Sequence, residues 1–494
     1  MAVFDGIIIA NGESRAIPGR VIVDEEKIAA VLPVAEVKEK FYIIPGFIDS
    51  HTHPIETGLA MIYPDFSSAN SIAEVLEMLS TGIMRMPEVP VILGFNLDPD
   101  RLKEHRYPYR RELDRLTDKK AVLIYRVDGH SAAVNSKALA MLSEVKCAGI
   151  ELDGAGKPTG VVRGVAYETL SVKLKRLLPA KIIQEAVNFT AQIALRNGVI
   201  ALGAMVGAND YTEKEWGLLL ESLFQAPIRM IPFLQTWNVK IAQQFSLPRI
   251  GGCLLLDGSF GSHTAALFED YADAPGYQGI LYQDDSRIVE FLQAAMEINL
   301  QTAFHAIGDR AIEQIVRCHE LVKEKTSFRN LRHRIEHTEL LSAHLIKRIA
   351  HLGLVVSVQP AFETIWGGPE GMYARRLGNR WRNTNLYRTL LDNKIVVAGG
   401  SDAPITPINP LRGIHAAMNL PNKEQRLTGS EALAFFTENA AYALGIEKIT
   451  GKLAPGMEAN FVILSADPRE TADGRVLATY YRGQLLFKDT SIIT

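Results

Sequence analysis

His51 and His53, in the run Ile43-Ile-Pro-Gly-Phe-Ile-Asp-Ser-His-Thr-His-Pro54, have a type and spacing that could do chemistry. In an extended strand, side chains two apart lie on one face, so the two imidazoles can grip a single metal ion from a strand end. Pro45-Gly46 marks a turn and sets where that strand begins. An isolated His-x-His is equally compatible with two unrelated histidines near a loop. Its weight comes from three later residues of metal-binding type. His305 lies in Ala303-Phe-His-Ala-Ile-Gly-Asp309, His337 ends Arg334-Ile-Glu-His337, and Asp402 follows Ile395-Val-Val-Ala-Gly-Gly-Ser401.

Each of these residues follows an apolar run of strand length. Eight such runs occur: Phe47–His53, Ile200–Val206, Met230–Gln235, Cys253–Asp257, Ala303–Ile307, His333–His337, Val355–Gln359 and Val396–Ser401. Helix-length segments separate most of them. The clearest helical pattern covers Gln184 to Asn197, with Ala186, Phe189, Ile193 and Ala194 at helical spacing and Gly198 as its stop. Strand–helix alternation repeated in this way predicts an α/β fold, a (β/α)8 TIM barrel. In such a barrel the C-terminal strand ends surround one mouth, so His51, His53, His305, His337 and Asp402 would converge there.

Short β-branched runs at both ends of the chain, Phe4–Gly12, Gly19–Asp24, Asn460–Ser465 and Val476–Phe487, are too few at either end for an independent sheet. They are expected to pair into a small β-sandwich built from residues 1–44 and 450–494. The barrel then takes 45–64 and 182–449. The stretch 65–181, too long for a loop, is expected to be an inserted α+β subdomain after the first barrel strand, capping the barrel mouth. Val91–Asn96 and Ala121–Val127 are its strand candidates.

The totals narrow the function classes. Across 494 residues, 53 basic and 56 acidic side chains give a net charge of −3, which argues against a general nucleic-acid or anionic-membrane binder. Three cysteines, Cys147, Cys253 and Cys318, do not make a disulfide framework and suit a reducing compartment. The N-terminus has an early acid and no basic region of the signal-peptide kind. The longest uncharged stretch, around Gly198 to Ala208, is too short to span a bilayer. A soluble, cytoplasmic protein is expected, with a homodimer as the default assembly.

Seven stretches together resemble the amidohydrolase superfamily, and within it amidohydrolase family 3, which includes N-substituted formamide deformylases. They are Pro45-Gly-Phe-Ile-Asp-Ser-His-Thr-His53, Asp128-Gly-His-Ser-Ala-Ala-Val-Asn-Ser136, Leu256-Asp-Gly-Ser-Phe-Gly-Ser262, His305-Ala-Ile-Gly-Asp-Arg-Ala311, Arg334-Ile-Glu-His337, Ser401-Asp-Ala-Pro404 and Gly451-Lys-Leu-Ala-Pro-Gly456. The resemblance implies a metal-dependent hydrolase with one or two divalent ions per chain. His51, His53 and Asp402 would hold the more buried ion, and His305 and His337 a second. Where many relatives place a bridging carboxylated lysine, this chain has Cys253. A thiolate there would supply the missing charge, and zinc suits an imidazole, thiolate and carboxylate set. The competing reading of Cys253 is a small core residue.

The chemistry implied is attack of metal-bound hydroxide on an amide or N-acyl carbon, since a zinc-class ion lowers the pKa of bound water to about 7. Asp402 would take the water proton and return it to the leaving nitrogen. Substrate contacts are expected from His130, from His263 at a position where the family commonly has arginine, and from Gln359. Two alternatives stay open: a mononuclear deaminase or cyclic amide or ester hydrolase on the same barrel, and an inactive barrel acting as an interaction protein.

Overall fold

The computed structural model describes residues 1–12, 15–38, 40–142, 148–325, 331–471 and 473–490; Cys147 lies outside the described residues. All eight expected barrel strands are present. They are β1 (Phe47–Thr52), β2 (Val199–Val206), β3 (Arg229–Leu234), β4 (Arg249–Leu255), β5 (Gln301–Ala306), β6 (Arg334–His337), β7 (Val355–Val358) and β8 (Val397–Gly399). Parallel ladders join β1 to β2 to β3, and β4 through to β8 in order. Two junctions complete the ring. β3 runs beside β4, where Gln235 Nε2 donates to Cys253 O at 3.4 Å. β8 meets β1 through Asp402 N–H to His51 O at 2.8 Å and His53 N–H to Ala403 O at 2.9 Å. Strands buried on both faces read as near-continuous apolar runs, which is why these eight could be found without an alternating pattern.

β4 departs from expectation. It starts four residues before the Cys253–Asp257 run and ends at Leu255, so Asp257 lies beyond the strand. Its pairing with β5 passes from Gly251↔Ala303 to Leu254↔Phe304, leaving Gly252 and Cys253 without counterparts. Gly251 and Gly252 have φ of +94° and +89°, and a Cβ on either would come within 2.3 Å of Ala303 O or 2.4 Å of Met205 Sδ. This bulge, open only to glycine, re-aims Cys253. Strict face alternation therefore does not place it.

The two chain ends do pair, in one continuous seven-stranded ladder and not in two separately laddered sheets. Phe461–Leu464 lies antiparallel to Tyr42–Pro45, which lies parallel to Ala2–Ile8. The run Val476–Phe487 is a hairpin of Val476–Tyr481 and Gln484–Lys488, because Arg482-Gly483 turns the chain with both residues at positive φ.

By its internal contacts the chain forms two compact units, one of Met1–His53 with Ala191–Thr494 and one of Pro54–Thr190. The second holds a five-stranded sheet that includes Val91–Leu97 and Ala121–Arg126, with helices Pro54–Ile62, Ile72–Arg85 and Gly164–Lys175. The helix expected from Gln184 starts a turn earlier, at Ala180, directly after Pro179. No helix among the described residues is long and apolar enough to cross a membrane.

Two histidines are buried between β6 and the helix Asp309–Lys325. His319 donates through Nδ1 to Ile315 O at 2.9 Å, and its ring lies 5.4 Å from that of His333. Burial pushes the His319 pKa down to about 4, against the single hydrogen bond that favours its charge. Above pH 6.5 the ring is neutral in both folded and unfolded chains. Between 6.5 and 4 the unfolded chain takes up a proton that the folded protein refuses, so stability falls as the pH drops. His319→Leu should remove up to about 3 kcal/mol of that acid loss. Calorimetric unfolding of both proteins across this window checks it, and parallel acid limbs would clear His319 of any part.

Candidate metal centre

Four imidazoles, a thiol and a carboxylate meet at the C-terminal ends of the barrel strands. The His51 ring centroid lies 5.4 Å from that of His53 and 4.9 Å from that of His337, and His305 lies 4.5 Å from His337. Asp402 Oδ1 approaches His51 Nε2 at 3.3 Å and His53 Nε2 at 3.1 Å. Cys253 Sγ stands 3.7 Å from His305 Nδ1. Among the described residues, three sets have all donor atoms within 4.8 Å of one another: His51, His53 and Cys253; Cys253, His305 and His337; and His51, His337 and Asp402. Cys253 is common to the first two.

What stands behind each ring fixes its tautomer. Glu336 Oε2 lies 2.7 Å from His51 Nδ1, and a carboxylate can only accept, so Nδ1 carries the hydrogen and Nε2 the lone pair. Gln359 Oε1 does the same for His337 Nδ1 at 2.8 Å. Gly258 O faces His305 Nε2 at 3.2 Å, which leaves the lone pair on Nδ1, toward Cys253. The lone pairs thus face one another. His51 Nε2, His337 Nε2 and Asp402 Oδ1 are buried and meet the geometry of no hydrogen bond among the described residues. Buried polar atoms rarely stay unsatisfied, and three of them facing one space in this donor chemistry fit a divalent cation.

Backbone geometry contributes to the aim. His337, Thr338 and Asp402 have φ of +69°, +52° and +54°, a region that L-residues enter at a cost of about 1–2 kcal/mol. Along a regular strand Arg334 and Glu336 would share one face and His337 the other. The left-handed turn at His337 ends that alternation.

The electrostatics are those of a cluster that attracts positive charge. Burial disfavours a charged His53, but Asp402 and Cys253 overcome it and hold its pKa at about 10. His51 is likewise raised, against burial, by Asp402, Cys253 and Glu336. Burial opposes a Cys253 thiolate, yet the imidazoles of His305, His337, His51 and His53 draw its pKa well below the ordinary thiol value. Asp402, buried too, is held far below the usual carboxylate range by His51 and His53. A cation and protons compete for these lone pairs.

The remaining expected contacts fall in different surroundings. His130 belongs to the compact unit Pro54–Thr190, in a loop where Asp128 Oδ1 accepts from its backbone N–H at 3.2 Å. His263 Nε2 is taken by Asp273 Oδ1 at 3.0 Å, and Arg376 also pairs with Asp273. Gln359 is occupied with His337, with its Nε2 buried and unpartnered.

Residues not singled out from sequence complete the arrangement. Glu336 and Arg334 are fully buried and joined by two hydrogen bonds, of 2.8 and 2.7 Å. Arg334 also donates to Ser50 O at 2.9 Å and lies 4.6 Å over the Phe233 ring. Burial would raise Glu336, but Arg334 and His51 bring its pKa down to about 2. Asp257, pushed up to about 7 by burial, accepts from the backbone N–H groups of Ala266, Ile307 and Gly308. The one available signal was Arg-x-Glu, the spacing that pairs opposite charges along a strand face.

The family model that matches the chain is that of the amidohydrolase family, over residues 41–487. The chain is 30% identical to Protein LONG AFTER FAR-RED 3 of Arabidopsis thaliana, over 90% of this chain and 82% of that protein. It is 24% identical to an N-substituted formamide deformylase of Arthrobacter pascens, over 98% of this chain and 95% of that protein. Among solved structures, an uncharacterized metal-dependent hydrolase of Pyrococcus furiosus superposes with a TM-score of 0.75 at 26% identity, covering 94% of this chain and 98% of that one.

If Cys253 is a shared ligand, Cys253→Ala should lower the metal bound per chain by at least one equivalent. Elemental analysis of the purified variant measures this. Unchanged metal content would return Cys253 to the barrel core.

Proposed function

The chain belongs to the amidohydrolase family and is a metal-dependent hydrolase; from that premise we propose that it cleaves a carbon–nitrogen bond, an amide or N-acyl bond, in a small molecule. The observation that carries this reading is the set of imidazole lone pairs, thiol and carboxylate facing one another, with Cys253 common to two of the three donor groups. In this reading His51, His53 and Asp402 would hold one cation and His305 and His337 another, with the Cys253 thiolate available to both. Zinc suits these donors. A divalent cation, once bound, polarises the substrate carbonyl and brings the pKa of water down to about 7.

The other steps belong to side chains of the chain. Asp402 is a carboxylate at neutral pH, since its pKa is held well below the usual range against burial. Its Oδ1 faces the cluster, 3.1 Å from His53 Nε2, so it can accept the proton of the attacking water and return it to the leaving nitrogen as the bond breaks. Glu336 keeps His51 in one tautomer, and Gln359 does so for His337. An amide leaving group needs that returned proton because an amine anion is too basic to depart. Asp402, facing the donor cluster, can supply it. The similarity to a protein named as an N-substituted formamide deformylase points the same way.

The test is a panel of N-formyl and N-acyl amines, cyclic amides and esters, run before and after chelation and after adding zinc back. Release of amine from the first group, lost to the chelator and restored by zinc, is the expected result. Turnover of esters alone would overturn the assignment to carbon–nitrogen bonds, and one metal per chain with ring deamination would favour the mononuclear alternative. Asp402→Asn should lower kcat by roughly 10²- to 10⁴-fold. Near wild-type turnover would reduce Asp402 to a ligand.

A further inference from the structure

Three imidazoles of the centre have a named acceptor behind the ring, and those acceptors differ in charge. His51 Nδ1 donates to the carboxylate of Glu336 at 2.7 Å. His337 Nδ1 donates to the neutral amide of Gln359 at 2.8 Å, and His305 Nε2 to the neutral carbonyl of Gly258 at 3.2 Å. Asp257 Oδ1 also stands 3.6 Å from His305 Nε2, beyond hydrogen-bond reach, and already accepts from Ile307 N–H at 3.0 Å. A carboxylate behind an imidazole increases the electron density on the opposite nitrogen and stabilises positive charge placed there, while an amide or carbonyl does so less.

Glu336 is also fixed in place. Arg334 grips both of its oxygens, at 2.8 and 2.7 Å, and is itself anchored to Ser50 O one residue before His51. All three side chains, of His51, Arg334 and Glu336, are fully buried. Full burial and three hydrogen bonds hold the carboxylate against His51.

We propose that this asymmetry divides the centre into two cation subsites of unequal affinity: the half built on His51, His53 and Asp402 holds its ion tightly, and the half built on His305 and His337 exchanges its ion. Arg334 and Glu336 are positioning residues that act through His51. The inference rests on the reading of the cluster as a two-cation centre.

The experiment titrates zinc-loaded protein with chelators of graded strength and reads metal per chain by elemental analysis, independently of activity. The wild type should lose its two ions in separate steps. Glu336→Gln keeps an acceptor oxygen but removes its charge, and should move the tight step toward the loose one by about ten- to a hundredfold in chelator strength. Gln359→Glu places a carboxylate behind His337 and should move the loose step toward the tight one. It also decides the matter should Glu336→Gln fail to fold beside its unpaired arginine. Two ions leaving together in the wild type, or steps unmoved by either variant, would overturn the inference while leaving the two-cation reading in place. A single ion per chain in the wild type would overturn the two-cation reading, and the inference with it.

Discussion

A neutral buried imidazole has one N–H and one lone pair, and the group behind the ring decides which nitrogen has which. In this protein that choice is made by Glu336 for His51, by Gln359 for His337 and by Gly258 O for His305. The register of the barrel makes it possible. Glu336 lies opposite His305 on β5 and opposite Ser357 on β7, and the Ser357 hydroxyl is 3.0 Å from that of Ser50 on β1. A slip of one residue in β6 would put Glu336 on the outer face and leave His51 with its proton unassigned. The centre is therefore a property of strand register as much as of its donors.

Several departures from regular strand geometry lie at the donors. β4 bulges at Gly251 and Gly252 just before Cys253, and β6 ends with His337 and Thr338 in the left-handed region. Asp402 adopts the same conformation just past β8. Neighbouring backbone holds each of them: Thr338 N–H donates to Ala306 O at 3.0 Å, and Asp402 N–H to His51 O at 2.8 Å. Strain of this kind persists where the surrounding structure over-determines it, and it gathers at functional sites.

Much of this was legible in the chain itself. The eight strands are buried on both faces, and that makes them apolar runs of a length that periodicity and spacing can find. His51, His53, His305, His337 and Asp402 could be read because each follows such a run. Cys253 was legible as a residue type at an unusual position, but its direction was not, because a bulge cancels the face alternation that would have given it. The split of Val476–Phe487 was hidden by Arg482, an ordinary residue made to turn beside Gly483. Glu336 and Arg334 were harder still, since a charged pair on a strand reads as solvent-facing until both faces of that strand are known to be covered. His263 has the type of a binding residue, yet Asp273 occupies it, and only three-dimensional proximity reveals that.

The ladder that joins the two ends of the chain has a consequence for synthesis. Tyr42–Pro45, the strand that leads directly into His51, is flanked on one side by Ala2–Ile8 and on the other by Phe461–Leu464. In order of synthesis the first of these neighbours precedes the strand, and the other follows only after all eight barrel strands have been made. Until then the segment carrying the first two histidines has an open edge, of the kind that invites pairing with foreign strands. Newly made chains would thus acquire their metal-binding geometry as a closing event, and a chain cut before Phe461 would have its eight barrel strands but an open edge beside the strand that leads into them.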